Sequence, residues 1–406
     1  MKVVILNDAS IARGGATGLS LLQARLLRER GIPVTFIAGD ALDNPDLAAT
    51  GATHVNLGGL PLMKSHPLRA ATLGLYDPAM RDGIADFIAR QDDAQTVYHV
   101  HSWSKALTPS LFSALRPVAA RVFIHAHDFF LACPNGGYMN YPAMRPCELR
   151  PLSPACLASN CDKRSRAQKA WRVTRQAILR RTMPTDAPWG GILMIHPGMR
   201  PYLEKVGYPG HLLYPLRNPA ERLTETRVRA EAGTRLLFAG RVEAEKGIED
   251  LVAAAARAGA PLTVVGDGPL LEPLRAAHPG VRFTGWMDRA GLAAEMATAR
   301  ALVMPSRYPE PFGLVAAEAV MSGLPAMVSH SALLARELAE TGLGWSVNAR
   351  DPVAFADGLR AVMDTPPDVI ADMSRRGFDA ETPVCTTPDA WIDGQIELWR
   401  GALQAD

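Results

Sequence analysis

The sequence predicts an α/β protein made of two doubly wound units with parallel sheets. Three observations carry that prediction. Short apolar runs, at 2–6, 34–38 and 235–239 among others, are continuous rather than alternating, as strands buried on both faces are. Helical stretches separate them, so strand and helix alternate along the chain. With 406 residues, 48% of them hydrophobic, there is material for two cores.

The first unit opens with strand 2–6 and a turn carrying Gly14, Gly15 and Gly18. A helix over about 19–30 follows, stopped by Gly31, and then strand 34–38, a Rossmann-like start. The glycine spacing is not Gly-x-Gly-x-x-Gly, which argues against a dinucleotide-dependent oxidoreductase. Strands over 97–102 and 121–128 both end in histidine. Period-2 alternation places His99 and His101 on one face of the first, and His125 and His127 on one face of the second. Carboxyl ends of parallel strands are where such sheets take ligands, although any one histidine can equally be a satisfied core residue.

Four of the five cysteines, Cys133, Cys147, Cys156 and Cys161, fall within 29 residues of Pro-rich, irregular sequence. Clustered reduced thiols suggest a structural zinc, with disulfides or plain buried thiols as the alternatives, since C-x13-C-x8-C-x4-C is not a standard zinc spacing. Residues 163–181 read as a helix with Lys163, Arg164, Arg166, Lys169, Arg172, Arg175, Arg180, Arg181 and no acid. Such a run is a solvated face or, with Trp171, a peripheral contact to an anionic membrane surface. A strand over 190–195 and a short helix over 198–207 precede the crossing between domains at 212–219. The domains are therefore expected at 1–214 and 215–385.

The second unit repeats the alternation, with strands at 236–239, 262–265, 281–284, 301–304 and 326–328. Its most informative stretch runs from Pro305 to Pro325. Pro309 and Pro311 stiffen a loop carrying Glu310, Gly313 permits close approach, and Leu314 to Met321 is a helix stopped at Gly323. The N–H groups of Phe312, Gly313 and Leu314 then head a helix, a natural place for phosphate. Glu318 lies one turn in, where its carboxylate can accept from vicinal hydroxyls. Glu310 can do the same for a second sugar. Upstream, Arg241 and Lys246 sit five apart on a glycine-bounded loop, a fork and a point charge for one anion. A surface ion pair of Arg241 with Glu245 is the plainer meaning. Gly266-Asp-Gly-Pro269 reads as a strand-to-helix turn.

Net charge of +2 argues against nucleic acid as a general partner. No run reaches the ~18 apolar residues of a membrane span, and the N-terminal apolar run is too short for a signal peptide. The expected location is the cytoplasm, with the inner face of the membrane as the extension the basic helix suggests.

Gly240-Arg-Val-Glu-Ala-Glu-Lys-Gly247, together with two glutamates separated by seven residues within and after Glu310-Pro-Phe-Gly313, resembles the donor-site signature of glycosyltransferase family 4, the retaining GT-B glycosyltransferases. The resemblance implies two Rossmann-like domains facing across a cleft, the first on the acceptor side, the second holding the donor. It also implies a last helix, about 389–403, crossing back so that 386–406 packs on the first domain. The implied activity is transfer of a hexose-type sugar from a UDP- or GDP-sugar to a hydroxyl of a glycan or lipid-linked acceptor, in cell-surface polysaccharide or glycolipid synthesis. By the same resemblance, Gly14 and Gly15 close over the donor's diphosphate, and Arg241, Lys246, Phe312, Gly313, Leu314 and Val315 hold it. Glu318 takes the ribose and Glu310 the sugar. His127-Asp128 matches the family's active-site histidine, with His101, His125 and Asp128 on the acceptor side. No cofactor is implied, and no Asp-x-Asp triplet for a catalytic metal occurs in the sequence. A GT-B nucleotide-sugar epimerase and a non-catalytic sugar-nucleotide-binding protein are the alternatives.

Overall fold

The computed structural model describes residues 1–11, 15–40, 44–379 and 384–404. The chain divides into two compact units, one of Met1–Gly137, Glu148–Leu216 and Pro388–Asp406, the other of Tyr138–Cys147 and Arg217–Thr387. The 138–147 segment thus leaves the 1–214 stretch that surrounds it in sequence. It forms an antiparallel hairpin, Met139–Asn140 against Arg145–Pro146. A hairpin closes its own ladder and needs no place in a neighbouring parallel sheet.

The first unit has strands β1 (Lys2–Asn7), β2 (Val34–Ala38), β3 (Thr53–Asn56), β4 (Thr96–Val100), β5 (Val122–Ala126), β6 (Gly191–Met194) and β7 (Leu213–Pro215). They lie in the order β3-β2-β1-β4-β5-β6-β7, all parallel. The order reverses between β1 and β4, and the crevice at the carboxyl ends there is where doubly wound sheets take ligands. Its first helix, Gly15–Glu29, begins four residues earlier than expected and takes Gly15 and Gly18 into its first turns. Nothing lies within 4 Å of where a Cβ would stand at either glycine, so neither is demanded by crowding. Gly14 lies outside the described residues. The last helix, Pro388–Gln404, belongs to this unit and buries Trp391, Ile392, Ile396 and Trp399 in one core with Val3, Ile5, Phe36 and Phe123. Arg30 at the end of the first helix pairs with Asp389 at 2.7 Å and Asp393 at 2.9 Å on the last.

The second unit has β8 (Arg235–Ala239), β9 (Leu262–Val265), β10 (Arg282–Gly285), β11 (Ala299–Met304), β12 (Ala326–Ser329) and β13 (Gly344–Val347), all parallel in the order β10-β9-β8-β11-β12-β13. Its switch point falls between β8 and β11. The loops leaving those two strands begin at Gly240 and Pro305, so the sheet order alone makes neighbours of the two motifs. Leu236, Phe238, Val303 and Met327 of the sheet pack with Ile248, Leu251, Phe355 and Leu359 of its covering helices. Among the described residues no helix is long and apolar enough to cross a membrane.

Candidate functional site

In the second unit, glycines in the loop after β9 let it pack closely against the loop after β8. Gly266 has φ +139°, and a Cβ there would stand 1.8 Å from the Gly240 carbonyl oxygen. Gly268 presses on Val242 in the same way, with a Cβ 2.5 Å from its oxygen. Val242 N–H donates to Asp267 O at 2.8 Å, locking the two loops together. The Gly266-Asp-Gly-Pro269 turn is therefore a support for the Arg241 loop, a role its sequence did not advertise. Arg241 pairs with Glu243 at 2.8 Å rather than with Glu245, and its side chain is 63% exposed. Glu243 is the nearer partner because the Glu245 side chain turns into the fold and is buried.

Lys246 and Glu310, 64 residues apart, form one buried ion pair. The Lys246 ammonium lies 2.7 Å from both Glu310 oxygens and 2.9 Å from the Tyr308 hydroxyl. Their side chains are 16% and 13% exposed. Ser306 Oγ donates to Glu310 at 2.6 Å. Burial raises the Glu310 carboxyl, but the ammonium and the hydrogen bonds from Lys246, Ser306 and Tyr308 outweigh it and hold it below the usual carboxylate range. Arg307 braces the same loop, gripping Asp250 through two 2.6 Å bonds and donating to Ala244 O at 3.1 Å. Ser306, Arg307 and Tyr308 carried no motif signal; only adjacency to Glu310 pointed to them.

The predicted helix is present as Leu314–Met321, with Gly313 as its left-handed N-cap at φ 74°. That left-handed φ is what favours glycine there, and a Cβ would also push on the tip of the Met304 side chain at 2.6 Å. Leu314 and Val315 open the helix and Phe312 is buried beneath it. Glu318, one turn in, is 12% exposed and accepts from Arg289 at 3.0 Å. Burial raises its carboxyl above the ordinary value, with Arg289 opposing. Arg289, on another helix of the unit, was not anticipated.

In the first unit both expected histidine pairs share a face. His99 and His101 rings lie 4.8 Å apart, and His125 and His127 stack at 4.5 Å with 8° between planes. His101 also stacks on His125 at 5.0 Å. Burial and then the neighbouring imidazoles hold His99 and His101 well below the usual histidine range, and burial pushes His127 down to about 3. All three are neutral. Nitrogens of His99, His101 and His125 come within 4.8 Å of one another. Of these, His99 Nε2 meets His125 Nδ1 at 3.2 Å, while both His101 nitrogens are engaged elsewhere, with His127 at 2.9 Å and Gln23 at 3.0 Å. His101, His127 and Asp128 line a small cavity of about 40 Å³ with Ala16, Trp103 and Phe130. Asp128 accepts from Phe130 N–H at 2.8 Å, and burial raises its carboxyl to about 6. Gly15 is exposed at the start of the first helix.

No disulfide joins the described cysteines. Cys133, Cys156 and Cys161 are buried in the first unit, and Lys169 Nζ donates to Cys161 Sγ at 3.0 Å and Cys156 Sγ at 3.5 Å. Cys147 is partly buried in the hairpin of the second. The basic helix spans Arg166–Thr182, and much of its charge faces inward. Arg172 pairs with Asp162 at 2.8 Å, Arg175 is buried between the rings of Trp103 and Trp171, and Arg180 lies over Tyr208. Arg166 and Arg181 are its exposed cations.

Residues 233–365 match the family described as Glycosyl transferases group 1. A glycogen synthase of Mycobacterium tuberculosis is 37% identical over 142 residues, 32% of this chain and 34% of the relative. A GDP-mannose-dependent alpha-(1-6)-phosphatidylinositol dimannoside mannosyltransferase of the same species is 32% identical over 159 residues, 37% of this chain and 41% of the relative. These matches span about a third of the length of the first of these relatives. Among solved structures, sucrose-phosphate synthase of Thermosynechococcus elongatus superposes with TM-score 0.70 at 19% identity, over 100% of both chains. Anabaena Alr3699/HepE in complex with UDP gives 0.68 at 14%, over 99% of this chain and 100% of that one. The chain has the GT-B fold of these structures, and within it residues 233–365 carry the match to the glycosyl transferases of group 1.

Proposed function

We propose that the protein is a glycosyltransferase that moves a hexose-type sugar from a UDP- or GDP-sugar to a hydroxyl of a glycan or lipid-linked acceptor, with retention of anomeric configuration and without a catalytic metal. Cell-surface polysaccharide or glycolipid synthesis is the setting this suits. The observation that carries the reading is the convergence at the β8/β11 switch point. The Lys246–Glu310 pair, Arg241 on its glycine-supported loop and the Gly313-capped helix all belong to the two loops that start there. Such a place combines an anion's cations and helix dipole with buried carboxylates for hydroxyl groups. The names of the relatives, a glycogen synthase and a mannosyltransferase, and the UDP bound by Alr3699/HepE are consistent with it.

In this reading Arg241, exposed and extensible, takes the diphosphate through its fork, and Lys246 adds a point charge held in place by Glu310. As the diphosphate leaves, negative charge grows on its β-phosphate. Two cations and the amides at Gly313, Leu314 and Val315 stabilise that growth without moving. Glu318, one turn along the helix, accepts from the ribose hydroxyls, exchanging Arg289 for them. Glu310 holds the sugar's hydroxyls, and His127 orients the sugar or the acceptor. The lack of an Asp-x-Asp triplet supports the metal-free route.

The test is a thermal-shift panel of UDP, GDP, ADP and CMP, followed by transfer assays in EDTA. A nucleotide at 100 times its Kd adds ~2.7 kcal/mol to the native state. UDP or GDP is expected to stabilise the wild type, Glu318→Ala to lose most of that shift, and turnover to persist in EDTA. No stabilisation at millimolar nucleotide would overturn the reading, and activity lost in EDTA and restored by magnesium would overturn its metal-free part.

A further inference from the structure

The first and last helices of the first unit carry a hydrogen-bonded chain that ends on His127. Gln395, on the last helix, donates from Nε2 to the Trp391 carbonyl at 3.1 Å. A carbonyl can only accept, so this bond fixes which way the Gln395 amide faces. Its Oε1 is left to accept from Gln23 Nε2 at 2.5 Å. The Gln23 amide is fixed in turn, and its Oε1 faces His101 Nε2 at 3.0 Å. His101 must donate there. Being neutral, it has only a lone pair at Nδ1, which lies 2.9 Å from His127 Nε2. His127 therefore donates from Nε2 and keeps its lone pair on Nδ1. Gln23 and Gln395 are each 0% exposed and His101 3%, so water does not compete along the route.

We propose that Gln23 and Gln395 are positioning residues that set His127 as its Nε2–H tautomer, so that its Nδ1 is a fixed acceptor for a hydroxyl of the sugar or its acceptor. This rests on the sugar-transfer reading for the identity of the hydroxyl, and on the hydrogen-bond chain between neutral, buried imidazoles for the tautomer. The polarity runs in one direction, from a backbone carbonyl of the C-terminal helix to the candidate site. Because His127 is held neutral, Nδ1 acts as a hydrogen-bond acceptor that orients the hydroxyl rather than as a base that carries a whole proton at neutral pH.

The chain makes two substitutions behave differently. Gln23→Met keeps the volume but removes the acceptor for His101, freeing both imidazoles to exchange tautomers. Gln395→Glu still presents an oxygen to Gln23 Nε2, so the polarity downstream survives. Full-length protein labelled with 15N-histidine, its His127 signals assigned by His127→Gln, reads the tautomer directly. The expected result is the Nε2–H form in the wild type and in Gln395→Glu, and a mixture in Gln23→Met. In transfer assays Gln23→Met should lose about tenfold in kcat, the equivalent of one ordinary hydrogen bond, while its nucleotide-induced thermal shift matches the wild type. An Nδ1–H His127 in the wild type, or an unchanged tautomer in Gln23→Met, overturns the proposal. If no nucleotide binds at all, the sugar-transfer reading falls and the NMR result still decides the chain.

Discussion

Replacing Glu310 by Gln asks what the buried ion pair contributes, because the amide keeps the shape and removes only the charge. At 2.7 Å and an effective dielectric of about 20, the attraction between Lys246 and Glu310 is roughly 6 kcal/mol before the cost of drying both groups. The substitution leaves an ammonium that is 16% exposed without its counter-ion. Breaking such a pair from one side costs about 3 kcal/mol, roughly 6–12 °C in Tm for a domain of this size. Lys246→Met in the same background removes the stranded charge, so the double variant should cost less than Glu310→Gln alone plus Lys246→Met alone. The pH dependence has a definite sign. The folded carboxyl is held below its ordinary 4.5, so its contribution is complete above that value and is lost as pH falls through the depressed one. Melts of the four proteins from pH 7 to pH 3 should show the gap between wild type and Glu310→Gln full at neutrality and closing on the acid side. A gap absent at pH 7, or just as wide at pH 3, would refute the pairing as the source of the stability.

Three further substitutions test other parts of the structure. Gly266→Ala should cost more than about 3 kcal/mol and abolish nucleotide binding, since its Cβ would meet the Gly240 oxygen in a backbone conformation that L residues avoid; Gly18→Ala, with open space around it, should be neutral or stabilising by about 0.5–1 kcal/mol, and equal melts for the two would contradict the crowding. Asp128→Asn should gain stability as pH rises from the unfolded value of 3.8 through about 6, where the wild type must ionise a carboxyl that burial disfavours. The full shift corresponds to about 3 kcal/mol, and partial access to water reduces the gain to about 1–2 kcal/mol by pH 8; a variant no more stable than wild type at pH 8 would remove burial as the cause.

The helix Leu314–Met321 was legible to the residue because helix formers fill the interval between two glycines that each act on the backbone. The strands were legible because both faces of a parallel sheet are buried and leave unbroken apolar runs. Three edge strands escaped, Thr53–Asn56, Leu213–Pro215 and Gly344–Val347, since short, partly exposed edges leave no such run. Lys246 and Glu310 were each singled out, but their contact was not, because 64 residues of chain separate them and only the β8–β11 adjacency closes the distance. The basic helix shows the same limit. Its composition was plain, yet which cations turn inward depends on Asp162, Trp103 and Tyr208, none of them on the helix. Gln23 and Gln395 had no signal of any kind. Each is an ordinary helical glutamine until the other, 372 residues away, is placed beside it.

That last separation bears on how the chain is made. The core of the first unit contains Trp391 and Trp399, so it cannot close until the residues that follow the whole second unit have been synthesised. The second unit is continuous from Arg217 to Thr387 apart from its hairpin, and its sheet and covering helices are all available earlier. Synthesis therefore inverts the sequence order of maturation. The half translated first waits with an unfinished core, exposed to misassociation, while the half translated second can already be packed. His127 acquires its defined tautomer only when Gln395 arrives.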